Sequence, residues 1–194
     1  NLPSAKLEVL PQLPETGEEI VELARILDAD MTRDVYLGTE ASEENVKAAP
    51  LGNYSIIAFA THGLISGDLD GLYQPALALS SPSVTGGLED GLLTMDEIMA
   101  LRVNADWVVL SACNTGTADS AGAEAISGLG GAFFYAGAGA MLVSYWPVET
   151  TSSRMLTTEL FRLQRSNPLL TRSEALHQTY QALIKHDGYK VNSS

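Results

Sequence analysis

The sequence predicts an α/β fold built on a mainly parallel sheet flanked by helices. Three observations predict it. Short apolar, β-branched runs recur, above all Val108–Leu110 within WVVLSACNTG, and they read as strands buried on both faces. Segments with apolar residues at helical spacing stand between these runs, and strands alternating with helices build parallel sheets. Two of the runs stop abruptly in small polar residues, one at Thr61-His62-Gly63 and the other at Ser111-Ala112-Cys113-Asn114. In open α/β sheets the carboxyl ends of the strands are where ligands bind.

At 194 residues the chain is long enough to bury a substantial core, and a single domain over residues 1–194 is expected. No internal repeat or domain boundary is visible. Eleven basic against 24 acidic residues give a net charge of −13. The acids are spread along the chain, so they read chiefly as a solvated surface. That balance argues against nucleic acid, whose phosphates need a basic footprint. It is compatible with a basic partner or substrate. No apolar run approaches the roughly 20 residues of a membrane helix, so no membrane association is expected. The opening residues show no signal-peptide pattern, and the lone Cys113 excludes an internal disulfide. A cytoplasmic location is therefore the expectation.

Residues 1–15 carry Pro3, Pro11 and Pro14 and read as an extended connector with one short strand at Leu7–Leu10. Thr16-Gly17-Glu18-Glu19 has the form of a capping box, followed by Ile20, Leu23, Ala24 and Leu27 at helical spacing. Val35–Leu37 reads as a short strand. Ser42 caps a short helix carrying Val46 that ends before Pro50. Tyr54–Ala60 is the first strong strand, residues 63–75 a loop rich in glycine and acid, and Ala76–Ser80 another strand. A Ser/Pro/Gly segment runs from Ser81 to Gly91. Thr94-Met95-Asp96-Glu97 is a second capping box, opening a helix to about Leu101. Asp106–Ser111 is the central strand, Thr115–Gly122 a loop, and Ala123–Ala136 a helix whose small residues let it lie close to a sheet. Met141–Trp146 is a third strong strand, broken by Pro147. Thr150–Arg165 and Thr171–Lys185 are amphipathic helices, the second opened by the box Thr171-Arg172-Ser173-Glu174.

The chemistry concentrates at the two polar strand ends. A thiol becomes a strong nucleophile as the thiolate, and a neighbouring imidazole both lowers its pKa and shuttles the proton. Cys113 alone would read as a packing residue. Cys113 and His62 together, each beyond the apolar part of its strand, read as a catalytic pair. Gly63 is either a plain turn glycine or, with the Cys113 amide, an oxyanion donor. Ser111 lies two residues before Cys113, shares its face of the strand, and reads as lining the pocket. Asn114 reads as structural. His177 and His186, at the last helix, read as solvent-facing. One cysteine and three scattered histidines offer no metal constellation, so no metal and no cofactor is expected. Gly128-Leu129-Gly130-Gly131 lies in a helical pattern without the lysine of a phosphate loop.

Ala60-Thr61-His62-Gly63 and Leu110-Ser111-Ala112-Cys113-Asn114-Thr115-Gly116 closely resemble the CHAT domain, a bacterial family of caspase-like cysteine peptidases. Cys113 follows His62 by 51 residues, close to the caspase separation of about 50. Leu13–Thr16, Asp90–Thr94, Ala132–Ala138 and Val143–Val148 are similar to further family blocks, and the resemblance spans about residues 11–187. It implies a caspase–hemoglobinase-like three-layer sandwich, His62 as general base and acid, and Cys113 as nucleophile. It also implies that Ser144, Tyr145 and Trp146 line a groove where a peptide pairs with the strand; Trp146 is otherwise a core aromatic. An acidic floor for the first specificity pocket, by analogy with basic-specific relatives, would come from Asp68, Asp70, Asp119, Glu124 or Glu149. The sequence does not choose among these, and each is otherwise an exposed carboxylate.

The resemblance further implies a protein or peptide substrate. It also implies a place as effector in a larger bacterial signalling or defence protein, under an upstream helical-repeat sensor or an activator protein. Family members carry a strand before the Leu13–Thr16 block and an aromatic-rich strand after the last helix, so trimmed or missing sheet edges are expected here, and an open edge invites pairing. Two rival readings use the same fold: a catalytically latent signalling or scaffold module, and an esterase or acyltransferase working through the same dyad.

Overall fold

The computed structural model describes residues 4–111, 120–143 and 150–185. Its organising element is a three-stranded parallel sheet in the order β1-β5-β6, formed by Ile56–Phe59, Trp107–Leu110 and Met141–Val143. Ile57 pairs with Val108 and Phe59 with Leu110 on one side of β5, and Val108 with Met141 on the other. The central strand is the one whose four residues are all buried, as its unbroken apolar run requires. Alternation along the strands puts Ile57, Phe59, Val108 and Leu110 on one face. There they share a core cluster with Ile98, Leu129, Ala132 and Phe133. Phe133 is fully buried, and its ring meets that of Phe59 at 5.6 Å and 41°.

The helix carrying Phe133 is α5, Ser120–Ala136. It starts earlier than the alanine pattern suggests, inside the segment read as a loop from the sequence. It ends at Gly137, whose φ is +114° and where a Cβ would lie 2.0 Å from the Val103 carbonyl oxygen. Only glycine closes the helix so tightly against that backbone.

A second sheet, absent from the sequence reading, is antiparallel. It has the order β2-β3-β4 and comprises Gly63–Leu64, Ala76–Ala78 and Leu92–Thr94. Leu64, Leu69, Leu72, Ala76, Ala78 and Leu92 form its satellite core, and Leu7 joins them from the N-terminal segment. The strand expected at Leu7–Leu10 is instead the end of a 3₁₀ helix, Ser4–Val9. Leu7 and Leu10 both face this cluster, a three-residue spacing that a 3₁₀ turn satisfies and a strand does not. The Leu10 amide donates to the Leu7 carbonyl at 3.1 Å.

Two other expectations are corrected. Thr16 does not cap its helix: α1 is Pro14–Ile26, and the Thr16 hydroxyl donates back to the Leu13 carbonyl at 2.7 Å. Proline at a first helical position is pre-set in φ and lacks an amide that would go unpaired there, so the helix starts at Pro14, three residues before the Gly17 that a Thr16 cap would give. Val35–Leu37 is not a strand and joins no ladder among the described residues.

The remaining caps follow the sequence. Ser42 accepts from the Asn45 amide at 3.2 Å and opens α2, Glu43–Ala48. The amide and hydroxyl of Thr94 both donate to Glu97 (2.9 and 2.6 Å), opening α4, Met95–Ala100. Within the Ser81–Gly91 segment a single helical turn, α3, Pro82–Thr85, closes on Gly86. The last helices are α6, Thr150–Ser166, and α7, Arg172–Lys185. At the start of α7 the Glu174 carboxylate accepts from the Thr171 amide at 2.9 Å.

The chain divides into two compact units. One, Asn1–Gly17 with Tyr36–Val148, holds both sheets. The other, Glu18–Val35 with Glu149–Ser194, holds most of α1 and all of α6 and α7. Within the second, Arg154 pairs with Glu18 at 2.8 Å, and Arg165 pairs with Asp28.

Candidate active site

The parallel register of β1 and β5 delivers both strands to one rim. The Ser111 amide donates to the Phe59 carbonyl at 2.8 Å, continuing the ladder one residue past Leu110. Ser111 is half-buried there, at the carboxyl edge of the sheet. His62 stands three residues beyond Phe59, in the step from β1 to β2. Its backbone is fixed by the small sheet. The Ala78 amide donates to the His62 carbonyl at 2.9 Å, and the Thr61 hydroxyl donates to the Ala78 carbonyl.

The imidazole is buried, 7 % exposed, and its Nε2 lies 2.7 Å from the Pro11 carbonyl oxygen. A carbonyl only accepts, so Nε2 must carry hydrogen. That bond fixes the ring and its tautomer, and leaves Nδ1 as the basic nitrogen of the neutral ring. Pro11 did not emerge from the sequence, because a backbone carbonyl contributes no side-chain signal.

Gly63 is buried and opens β2, pairing with Leu77. Because the adjacent bond runs from the Ala78 amide to the His62 carbonyl, Gly63 and Leu77 form a pair that exchanges no hydrogen bonds. The Gly63 amide therefore points away from β3, toward the side of β2 that pairs with no strand among the described residues. Cys113, Asn114, Ser144, Tyr145 and Trp146 lie outside the described residues.

A family model for the CHAT domain matches residues 3–194. The chain belongs to the CHAT domain family. No curated protein and no solved structure matches it.

Of the acids considered for a specificity pocket in this CHAT domain, Asp68 and Asp70 are exposed. Asp68 accepts from the Ile65 amide at 2.8 Å and so shapes its own turn. Asp119, Glu149 and the Glu124 side chain lie outside the described residues. His177 is exposed and bonded to Gln181 at 2.9 Å, and His186 lies outside the described residues. Among the described residues no helix is long and apolar enough to cross a membrane.

The CHAT domain also holds a charge cluster that the sequence reading passed over. Glu43, Glu89 and Glu97 bring carboxylate oxygens within 4.8 Å of one another, a spacing that could hold a cation. The Lys47 ammonium occupies that role, at 2.6, 3.1 and 2.9 Å from the three. Burial opposes the charge on Lys47, but its hydrogen bonds to Glu43, Glu97 and Glu89 outweigh that and raise its pKa. Burial likewise works to raise Glu97, yet bonds from Thr94 and Lys47 prevail and hold it low. Glu43 is the exception. Burial pushes its carboxyl up to about 7, and the Glu97 charge adds to the shift against the pull of Lys47.

Folded Glu43 therefore keeps its proton up to about 7, whereas the unfolded chain releases it near the ordinary carboxylate value of about 4.3. Across that window the folded state binds more protons, so this group lowers stability as pH rises through it. Thermal melts should show Glu43→Gln losing less stability than the unaltered chain between pH 5 and pH 8. Equal losses would contradict the assignment.

Proposed function

We propose that this CHAT domain is a cysteine endopeptidase in which Cys113 is the nucleophile and His62 carries the proton. One observation supports this most: β1 and β5 are parallel neighbours with Phe59 opposite Leu110. His62 and Cys113 each follow their strand's last paired residue by three positions. Adjacent strands run about 4.8 Å apart, so equal offsets from a shared register suit a proton-sharing pair.

In this reading Nδ1 of His62 takes the Cys113 proton, and the thiolate attacks the scissile carbonyl carbon. The Pro11 carbonyl, bonded to Nε2–H, holds the ring in place and stabilises the imidazolium that forms. The amides of Gly63 and Cys113 receive the developing oxyanion, a role to which the outward-pointing Gly63 amide is suited. Imidazolium then protonates the departing amine, leaving a thioester. Water, deprotonated by the same histidine, attacks the thioester and releases the acid and the thiol.

Ser111, at the rim, lines the substrate groove with Ser144, Tyr145 and Trp146. Among the described residues β6 is an edge strand of its sheet, which suits pairing with an extended peptide. The net charge of −13 favours a basic residue before the cut. The fold belonging to this reading is the caspase–hemoglobinase three-layer sandwich. The setting is the cytoplasmic effector of a larger bacterial signalling or defence protein, governed by an upstream sensor or activator.

A second reading, a latent signalling or scaffold module, is favoured by the burial of His62, which leaves the imidazole little open surface. A peptide library with lysine, arginine or neutral residues before the cut separates the two. Cleavage after basic residues that disappears in Cys113→Ala supports the peptidase. Identical products from the unaltered chain and Cys113→Ala would refute it.

A further inference from the structure

His62 is held by two arms, and both rest on one glycine. The first arm is the small sheet. The Ala78 amide bonds the His62 carbonyl, and one residue on, the Leu79 amide donates to the Gly91 carbonyl at 2.7 Å. The second arm is the N-terminal segment. Leu7 Cδ1 packs so close to Gly91 that a Cβ there would meet it at 2.8 Å. Leu10 bonds back to Leu7, and the next residue, Pro11, accepts from the His62 imidazole.

Gly91 itself has φ of +83°, and a Cβ would also lie 3.0 Å from the Ser80 carbonyl oxygen. Its amide donates to Oε2 of Glu43 at 2.9 Å. Glu43 is 48 residues away in the chain, on α2, and 1 % exposed. The charged groups facing it are Lys47 on its own helix, Glu97 on α4 and Glu89 from the segment before β4. The neighbouring Glu44 accepts from the Glu89 amide at 2.9 Å, fixing that segment as well.

We propose that Glu43 is a positioning residue for His62. By holding the Gly91 amide it sets both the backbone of His62, through Leu79 and Ala78, and the ring, through Leu7, Leu10 and Pro11. The proposal rests on the reading of His62 as the proton carrier. Removing the carboxylate leaves the Gly91 amide without its buried acceptor. The displacement then reaches the imidazole along both arms, where small errors in geometry are costly.

The test compares Glu43→Ala and Glu43→Gln in the full chain by three readouts. These are solvent exchange of the His62 Nε2 proton, amide exchange at Val108–Leu110, and alkylation of Cys113 by iodoacetamide. Glu43→Ala should speed Nε2–H exchange and slow alkylation by about tenfold each, with core exchange unchanged. Glu43→Gln keeps an acceptor oxygen for Gly91 and should restore both. An unchanged Nε2 proton in Glu43→Ala, or a glutamine variant as damaged as the alanine one, would overturn the proposal. Should Glu43→Ala fail to fold, Gly91→Ala keeps every charge and strains the same node. It should speed Nε2–H exchange likewise, and no change there would also overturn it. If Cys113 of the unaltered chain reacts only as an ordinary thiol, the peptidase reading fails, while Nε2–H exchange still decides the role of Glu43.

Discussion

Replacing His62 by alanine should lower peptide cleavage by roughly 10²- to 10⁴-fold, the range that a positioned general acid and base supplies. The loss should fall on kcat more than on KM, because in the proposed mechanism the imidazole acts on the proton and not on the bound peptide chain. Cys113→Ala should remove the remainder, since the proposed mechanism uses the sulfur as its nucleophile. The two changes together should cost no more than Cys113→Ala alone, as residues acting in one step do. Steady-state kinetics on a single basic peptide would check all three statements. A His62→Ala variant that retains full kcat would remove the histidine from the reaction.

The largest effect on stability is expected at Phe133. Its side chain is fully buried, and it packs on Phe59, the last residue of β1 before the turn to His62. Phe133→Ala should cost about 3–5 kcal/mol, from lost transfer energy and the cavity left behind. Urea unfolding, read at the midpoint, measures this directly. The neighbouring Phe134 is exposed, so Phe134→Ala should stay within about 0.5 kcal/mol. Similar losses in both variants would mean that α5 does not present Phe133 to the sheet as described.

Much of this architecture could be read from the residues, and the reasons are local. The run at Trp107–Leu110 is apolar throughout, with β-branched Val108 and Val109 at its centre, and the structure makes it the buried central strand. The boxes at Thr94 and Thr171 pair a hydroxyl with a carboxylate three residues on, so their helices begin where expected. Of the antiparallel sheet only β3 was legible, within the run Ala76–Ser80; β2 and β4 are two and three residues long, too short for an alternation to show. β4 in particular runs straight into the capping box of α4 and has no turn to announce it.

The candidate site divides along similar lines. The β1–β5 register puts Ser111 at the carboxyl edge of the parallel sheet and His62 three residues past the end of β1, while Gly63 opens β2 of the second sheet. Pro11 acts through a carbonyl that every residue has, so nothing in its side chain marks it. Glu43 and Lys47 stand four apart on a helix, a pattern usually solvated. The loop folded over them, through the Gly91 amide and Glu89, buries Glu43 and leaves Lys47 half-buried beside it.

The most direct test of the proton-sharing pair is the pH dependence of Cys113 alkylation by iodoacetamide, measured with and without His62. A thiol beside an imidazole should react with an inflection well below the ordinary value of about 8.5, and His62→Ala should return it there. Inflections near 8.5 in both proteins would mean that the sulfur and the imidazole do not share a proton.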